Sequence, residues 1–531
     1  MPRPAGAAAA GAGGVTPHRP VPHPGAVTTT AARSRGASPA PSPRVRRGLL
    51  ADHAPFLAAL LLGALARVVV AVAFPGAVMV SDAPGYLTFL DDVAPSVERP
   101  DGYGLLLLLP LSRLADSLAL FTTVQHVLGL AAATGLYAVL RRWGVGRWWA
   151  AVAVLPVLLD PMLLLLEHAP LSDALFLDLV VLAVVLLGLR LRPSPGTALA
   201  AGVVMGLATV VRQVGMPLVL AGVVFCLLAA AGRWRRVVPA LLLVVGFAAP
   251  VGAYAAWYES ERGAYALSGI GGTSAYMRTT TFVECERLEL APYAEVLCPP
   301  EPVGERRDPT DYGWYQIGSG AQSLQVPPGV DREAVLRDFA RQALAAQPLD
   351  YARVVLRDAV LGFDPVRTDR FEYSTTFKWR FETYLEPSTS PWTLMGWARY
   401  GGEPPAPRQP WADALVAYQG AVHTYGPLVL LGLVVGVVGA LSRRGGAARP
   451  YVLLLVLVGA GLSLLPALTT EFIWRYQLPG VLLLPVAGVL AGSALRGSPA
   501  RGGPAAPAPD GGRLSARAPW RRRGRTGRTA G

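Results

Sequence analysis

The residues in this chain best suited to chemistry are carboxylates and arginines placed where an apolar sequence makes charge expensive. Val80-Ser81-Asp82-Ala83-Pro84-Gly85-Tyr86 comes directly after an apolar run. If Ser81 caps a short helix there, a spacing of four sets Asp82 and Tyr86 on one face, and Pro84 is tolerated in the first turn. A carboxylate at that place can equally serve as a cap or a solvated residue. Glu167, Asp173, Arg212 and Glu471 also lie in or beside apolar runs. Such charges cost several kcal/mol unless they line a polar cavity or find partners, so function is the default reading. The alternative is a set of structural ion pairs, such as Glu471 with Arg475 at helical spacing. A positioned carboxylate can take the proton of an attacking hydroxyl, and guanidinium groups can hold an anionic leaving group.

The elements that must position these residues are membrane spans. With 52% hydrophobic and only 16% charged residues over 531 positions, the chain is too apolar for a string of soluble domains. Runs of roughly 20 apolar residues, the length that crosses a bilayer, recur along it. Spans are expected at about 55–75, 118–140, 148–166, 171–189, 197–212, 215–231, 237–257, 414–440, 450–468 and 473–495. The expected fold is therefore all-α and polytopic, with about ten transmembrane helices and an external, α-containing domain inserted before the last three. The run 104–114 is apolar but too short to cross, which suggests an interfacial or re-entrant piece.

Arginine sets the orientation. Arg44, Arg46 and Arg47 precede the first span, which puts the N-terminus inside by the positive-inside rule. Counting spans then puts Arg141, Arg142 and Arg147, Arg190 and Arg192, Arg233, Arg235 and Arg236, and Arg443, Arg444 and Arg449 on the same side. The expected organisation is a basic cytoplasmic tail (1–50), an N-terminal transmembrane module (51–258) with a first external loop at 76–117, an external domain (259–413), the C-terminal transmembrane helices (414–495) and a second basic tail (496–531). The tails carry +7 and +8 of the net +13, leaving the body at −2. Rich in Ala, Pro and Gly, they read as disordered arms held near anionic lipid headgroups rather than as nucleic-acid-binding segments.

Within 259–413, Cys285 and Cys298 can form a disulfide in an external compartment. A metal site there lacks a nearby His or further Cys to complete it. Cys226 falls inside a span and reads as apolar filling. Val330-Asp331-Arg332-Glu333-Ala334-Val335 opens an amphipathic pattern with Asp331 as N-cap and Pro348 as stop. Its second half, Tyr351 to Phe363, is expected either along the membrane surface or as half of an ordinary packed helix pair.

Several segments together resemble a known family. Asp82 and Tyr86 in a D-x-x-x-Y spacing after the first span, and Arg99-Pro100-Asp101-Gly102-Tyr103 entering a leucine run, resemble the polyprenyl-phosphate-dependent glycosyltransferases of the C superfamily, which include the protein O-mannosyltransferases and aminoarabinose transferases (family 39 type). Glu167-His168-Ala169-Pro170-Leu171-Ser172-Asp173 resembles that family's E-x-x-x-L-S-[DE] loop. Met205 to Arg212 resembles its G-L-x-x-x-x-R pattern, and Arg475-Tyr476-Gln477-Leu478-Pro479 its R-Y-x-x-P. The resemblance covers about 55–258 and 414–495.

The resemblance implies transfer of a sugar from a polyprenyl-phosphate donor to an acceptor hydroxyl at the external face of the plasma membrane, with inversion. Asp82 is the expected base. Tyr86, Arg99, Tyr103, Arg212 and Arg475 are expected around the donor phosphate, with Glu167 and Asp173 as supporting acids. A divalent ion such as Mg or Mn on Asp82, Glu167 or neighbouring carboxylates is an alternative to purely cationic stabilisation. The chain departs from the mannosyltransferases in having Ser81-Asp82 where they carry an acidic pair, and Asp91-Asp92 cannot replace that pair without a different geometry. Lys378 is the sole lysine, so no lysine serves the membrane core. A transporter or flippase of lipid-linked or small solutes is the rival reading, and a non-catalytic scaffold a third.

Overall fold

The computed structural model describes residues 43–315, 317–367, 379–384, 391–402 and 406–497. The expected tails, apart from a few residues at their inner ends, and Lys378 lie outside the described residues. The chain divides into two units at residue 51. In residues 1–51 the described part, 43–51, is helical. The second unit, 52–531, contains the buried apolar core.

Every regular element among the described residues is a helix, and there is no strand among them. This is a polytopic membrane protein: five helices are long and apolar enough to cross a bilayer, Ala51–Ala73, Leu118–Arg142, Arg233–Arg262, Arg443–Thr469 and Trp474–Leu495. Two bent pairs bring the number to as many as seven. Pro161–Glu167 and Ser172–Gly188 meet at 109°, and Trp411–Ala421 and Gly426–Leu441 at 49°.

The expected continuous helix over 148–166 is corrected. It is three pieces, Arg147–Ala153, Leu155–Leu159 and Pro161–Glu167. Pro156 and Pro161 each withhold an amide hydrogen and crowd the preceding turn, so the helix restarts at each. Asp160 caps the last restart by accepting the Met162 N–H (3.1 Å). The expected spans 197–212 and 215–231 correspond to the apolar helices Pro195–Val211, of 17 residues, and Leu218–Ala229, of 12. Twelve residues rise only about 18 Å, well short of the roughly 30 Å hydrocarbon core.

One apolar core, including Phe121, Leu136, Leu158, Phe225, Tyr451 and Leu483, runs through the spanning helices. A second cluster forms between 276 and 354 around Tyr276, Phe282, Leu297, Tyr312, Leu336 and Phe339. No helix in that stretch is long and apolar enough to span. Cys285 and Cys298 are joined by a disulfide at its edge, while Cys226 is free and buried in a spanning region. Asp331 caps the helix Arg332–Ala346 by accepting the Glu333 N–H (3.0 Å). Pro348 both ends that pattern and starts the next helix, Pro348–Leu361, from its first turn, where proline has no bond to lose.

Candidate active site

Asp82 stands where the chain leaves the first span and turns into the five-residue helix Ala83–Leu87. The expected cap is corrected: Asp82, not Ser81, occupies the N-cap position, and its side chain makes no capping bond. Ser81 instead takes a left-handed backbone (φ 50°), the one non-glycine residue to do so among the described residues. A serine held there costs about 1–3 kcal/mol, and such strain gathers at functional sites. Ser81 Oγ donates to Asp82 Oδ1 at 3.4 Å. Released from capping, the Asp82 carboxylate faces three guanidinium groups.

Arg99 lies 3.5 Å from Asp82 and over the Tyr86 ring at 4.8 Å. Arg475 lies 3.6 Å from Asp82 and 3.5 Å from Asp173, so one guanidinium joins both carboxylates. Arg212 donates to Asp173 Oδ2 at 2.5 Å and to Ser172 Oγ at 3.3 Å. Tyr476 presents its ring to Arg212 (5.6 Å) and Arg475 (5.2 Å), and Trp379 covers Arg475 at 4.2 Å. Arg99 also pairs with Glu98 at 3.1 Å, so the three arginines meet three carboxylates, Asp82, Asp173 and Glu98.

Accessibility is graded across this cluster. The Asp82 side chain is 44% exposed while Arg475 is 6% and Asp173 7% exposed. Asp82 is thus the solvent-exposed member of the cluster, and Arg475 and Asp173 form its buried part. Burial pushes the Asp82 carboxyl up, but Arg475, Arg99 and Arg212 outweigh it and hold the group below the usual carboxylate range. The contacts of Arg475 to carboxylates, at 3.5–3.6 Å, exceed the roughly 2.7–2.9 Å of a good charge-assisted bond, and its buried Nε has no hydrogen-bond partner. An incoming anion would find donors there that the protein itself leaves under-used.

Close packing brings the separate segments together. A Cβ on Gly102 would lie 2.4 Å from the Val210 carbonyl oxygen, so only glycine lets the Arg99–Tyr103 segment pass against the helix that ends in Arg212. Asp101 secures that segment: its carboxylate accepts the Ser96 N–H (2.5 Å) and its own N–H donates to Tyr254 Oη (3.0 Å). Burial pushes the Asp101 carboxyl up to about 6, against the Ser96 N–H and the charges of Arg99 and Arg262. Tyr103 is fully buried, donates to Gln125 Oε1 (3.0 Å) and sets its ring edge-on to Tyr86. Tyr86 in turn shares a hydrogen bond with Ser172 Oγ (2.7 Å). Both tyrosines are buried and brace the cluster from behind.

Glu167 is not in this cluster. Its carboxylate takes both Arg67 Nε (2.8 Å) and Nη2 (2.7 Å), and His126 Nδ1 lies at 2.9 Å. His126 Nε2 contacts His168 Nδ1 (3.1 Å), and His168 Nε2 reaches the Phe74 carbonyl (2.6 Å). A carbonyl only accepts, so His168 carries its proton on Nε2 and receives one from His126 Nε2 on the other side. Gly129 leaves room for this network, since a Cβ there would meet Glu167 Oε1 at 2.1 Å. Sequence reasoning missed Arg67, His126, Gln125, Ser172, Tyr476 and Trp379 as members of either cluster. Arg67, the one charge inside the run 54–75, was the available signal.

The expected pairing of Glu471 with Arg475 at helical spacing is not the arrangement found: 471–473 are non-helical, and Arg475 turns to Asp82 and Asp173. Asp91 pairs with Arg399, which also holds Asp116, so the Asp91-Asp92 pair stays apart from Asp82. Among the described residues no group of three or more His, Cys, Asp or Glu side chains is disposed to hold a metal ion. Asp82 and Asp173 are bridged by a guanidinium instead, and Glu167 is committed to Arg67.

No family model matches the chain, and no curated protein matches it. Among solved structures it is similar to the archaeal oligosaccharyltransferase AglB from Archaeoglobus fulgidus in complex with an inhibitory peptide and a dolichol-phosphate (13% identity, 82% of this chain and 50% of that chain, TM-score 0.39). It is also similar to the apo form of the Archaeoglobus fulgidus oligosaccharyltransferase (14% identity, 82% and 50%, TM-score 0.38). The chain spans about half the length of these solved structures.

Proposed function

We propose that this chain is a membrane glycosyltransferase that moves a sugar from a polyprenyl-phosphate donor to an acceptor hydroxyl, with Asp82 as the base and Arg475, Arg212 and Arg99 as the phosphate-holding groups. The observation that carries the reading is the single guanidinium of Arg475 set between Asp82 and Asp173, above a membrane core through which a lipid-borne donor can arrive. In the transfer, the acceptor oxygen bonds to the anomeric carbon as the bond from that carbon to the phosphate oxygen breaks. The hydroxyl proton passes to Asp82, and the polyprenyl phosphate leaves as an anion held by arginine. A single displacement inverts the anomeric centre.

Empty, Asp82 is a weak base, because the arginines hold its proton affinity down. A bound phosphate neutralises those same arginines and restores the basicity of Asp82, so the base strengthens when the donor is in place. The arginine-flanked short connections support a site on the external face, with both termini cytoplasmic. The 259–413 region then stands over the site as the place for the acceptor.

The test offers purified protein a polyprenyl-phosphate sugar and compares wild type with Asp82→Asn for transfer and for donor binding. Transfer is expected to fall by about 10²–10⁴-fold while donor binding persists. Undiminished turnover by the variant would remove Asp82 as base. Movement of the intact donor across vesicles without sugar transfer would favour the transporter.

A further inference from the structure

We infer that the helix Pro348–Leu361 lies in the membrane interface, with Leu349, Leu356 and Val360 inserted among the lipid acyl chains. Near its N-terminal end, Tyr351 Oη donates to the Leu468 carbonyl (3.0 Å), one residue before the end of the span Arg443–Thr469. Just past its C-terminal end, the Asp364 carbonyl accepts the N–H of Gly426 (3.2 Å), the first residue of the apolar helix Gly426–Leu441. The helix is thus tied near one end to the end of a span and near the other to the start of Gly426–Leu441, at the bend of its pair with Trp411–Ala421. The two ties are about 20 Å apart at helical rise, so the helix is held against the spanning helices at both ends rather than projecting away from them.

Its two faces differ in kind. Inward, Val354, Asp358 and Leu361 are buried, and Asp358 pairs with Arg278 at 2.7 Å in a fully buried contact. Outward, Leu349, Leu356 and Val360 are 79%, 66% and 55% exposed, and Val366 continues the patch at 51%. At the edge of this stripe the exposed Arg353 pairs with Asp350 at 2.8 Å, and the arginine stem is long enough to lie over apolar surface and keep that pair at the headgroups. A helix bathed in water on that face would leave three large aliphatic side chains unpartnered, whereas the neighbouring helices already present Leu428, Leu431, Leu457 and Leu464 to lipid. The outward stripe continues that lipid-facing surface.

The inference needs only the membrane location, not the glycosyltransferase reading. Nitroxide labels introduced one at a time by Leu349→Cys, Leu356→Cys, Val360→Cys and, for comparison, Arg341→Cys on the preceding helix are read in full-length protein in phosphatidylethanolamine/phosphatidylglycerol nanodiscs. Cys226 is buried and Cys285 and Cys298 are bonded, so the new thiol takes the label. Collisional relaxation by oxygen against a water-soluble nickel chelate is expected to place the first three labels roughly 5–10 Å below the headgroups and the label at 341 in water. Equal nickel access at 356 and 341 overturns the inference, as does shielding of 356 from both reagents, which would mean a protein contact. Unmodified protein gives a second reading: a photoactivated lipid probe is expected to label the peptide around 348–367 and spare 332–346, and the reverse pattern overturns it.

Discussion

The Arg475 guanidinium lies 3.6 Å from the Asp82 carboxylate, close enough to hold its charge and too far to lock it in a tight bond. Flat, forked and clasped between Trp379 and Tyr476, the guanidinium can address two carboxylates and an incoming phosphate at once. Arg475→Lys keeps the charge and loses the fork. Donor affinity should fall by about 10- to 100-fold, on the scale of roughly 1.5–3 kcal/mol for a charged hydrogen bond, with far-ultraviolet circular dichroism unchanged. Titration of the variant with a fluorescent polyprenyl phosphate measures it, and wild-type affinity would assign the phosphate elsewhere.

Glu167 and Arg67 form a pair with almost no exposure to solvent. Arg67→Met leaves the Glu167 carboxylate buried with less compensation, so stability should drop by about 3–5 kcal/mol. Thermal unfolding in detergent is the measurement. The double variant Arg67→Met, Glu167→Gln should recover part of the loss, because the orphaned charge is then gone. A pair of equal losses that simply add would deny the coupling.

Asp101 offers a pH signature. Its folded carboxyl titrates at about 6, above the 3.8 of an unperturbed aspartate. The folded protein therefore binds this proton more tightly than the unfolded chain. The stabilising effect is full below pH about 4 and is lost as pH rises through about 6. Asp101→Asn keeps an acceptor for the Ser96 N–H and never ionises. The variant should be more stable than wild type at pH 7.5 and equal to it at pH 4, the difference opening between those values in a series of melts.

Gly102→Ala pushes a methyl group into the Val210 carbonyl, at 2.4 Å in the unrelaxed structure. The loop must move away from the helix that ends in Arg212, drawing Arg99 from Asp82. Transfer activity should fall at least tenfold with the melting temperature lowered only modestly. An active variant would show that Arg99 is not needed where it stands.

The charges that cluster were legible in two ways: Asp82, Asp173 and Arg212 stand out because an apolar chain makes charge conspicuous, whereas Arg99 came only with the family resemblance and Arg475 with that resemblance and a helical spacing from Glu471 that does not exist. Which carboxylate joins which arginine was not legible. Glu167 and Asp173 are six residues apart in one motif, yet the 109° bend between Pro161–Glu167 and Ser172–Gly188 sends them to different clusters. Hydropathy, which averages over a window, could not register Pro156 and Pro161, so 148–166 read as one helix. Ser172 and Tyr476 stood in quoted motifs with no role to assign them, and Trp379 gave no signal until the packing brought it to an arginine.

The buried partners of Arg67 bear on how the chain enters the membrane. Taken alone, the first span must carry an uncompensated arginine into hydrocarbon, a burden of about 2.5–3.5 kcal/mol on insertion scales. Glu167 is synthesised a hundred residues later, and His126 sixty residues later. Placing this span in lipid is therefore easier once Glu167 and His126 are there to meet the charge, and the Arg67–Glu167 contact can close only after the chain as far as Glu167 is in place.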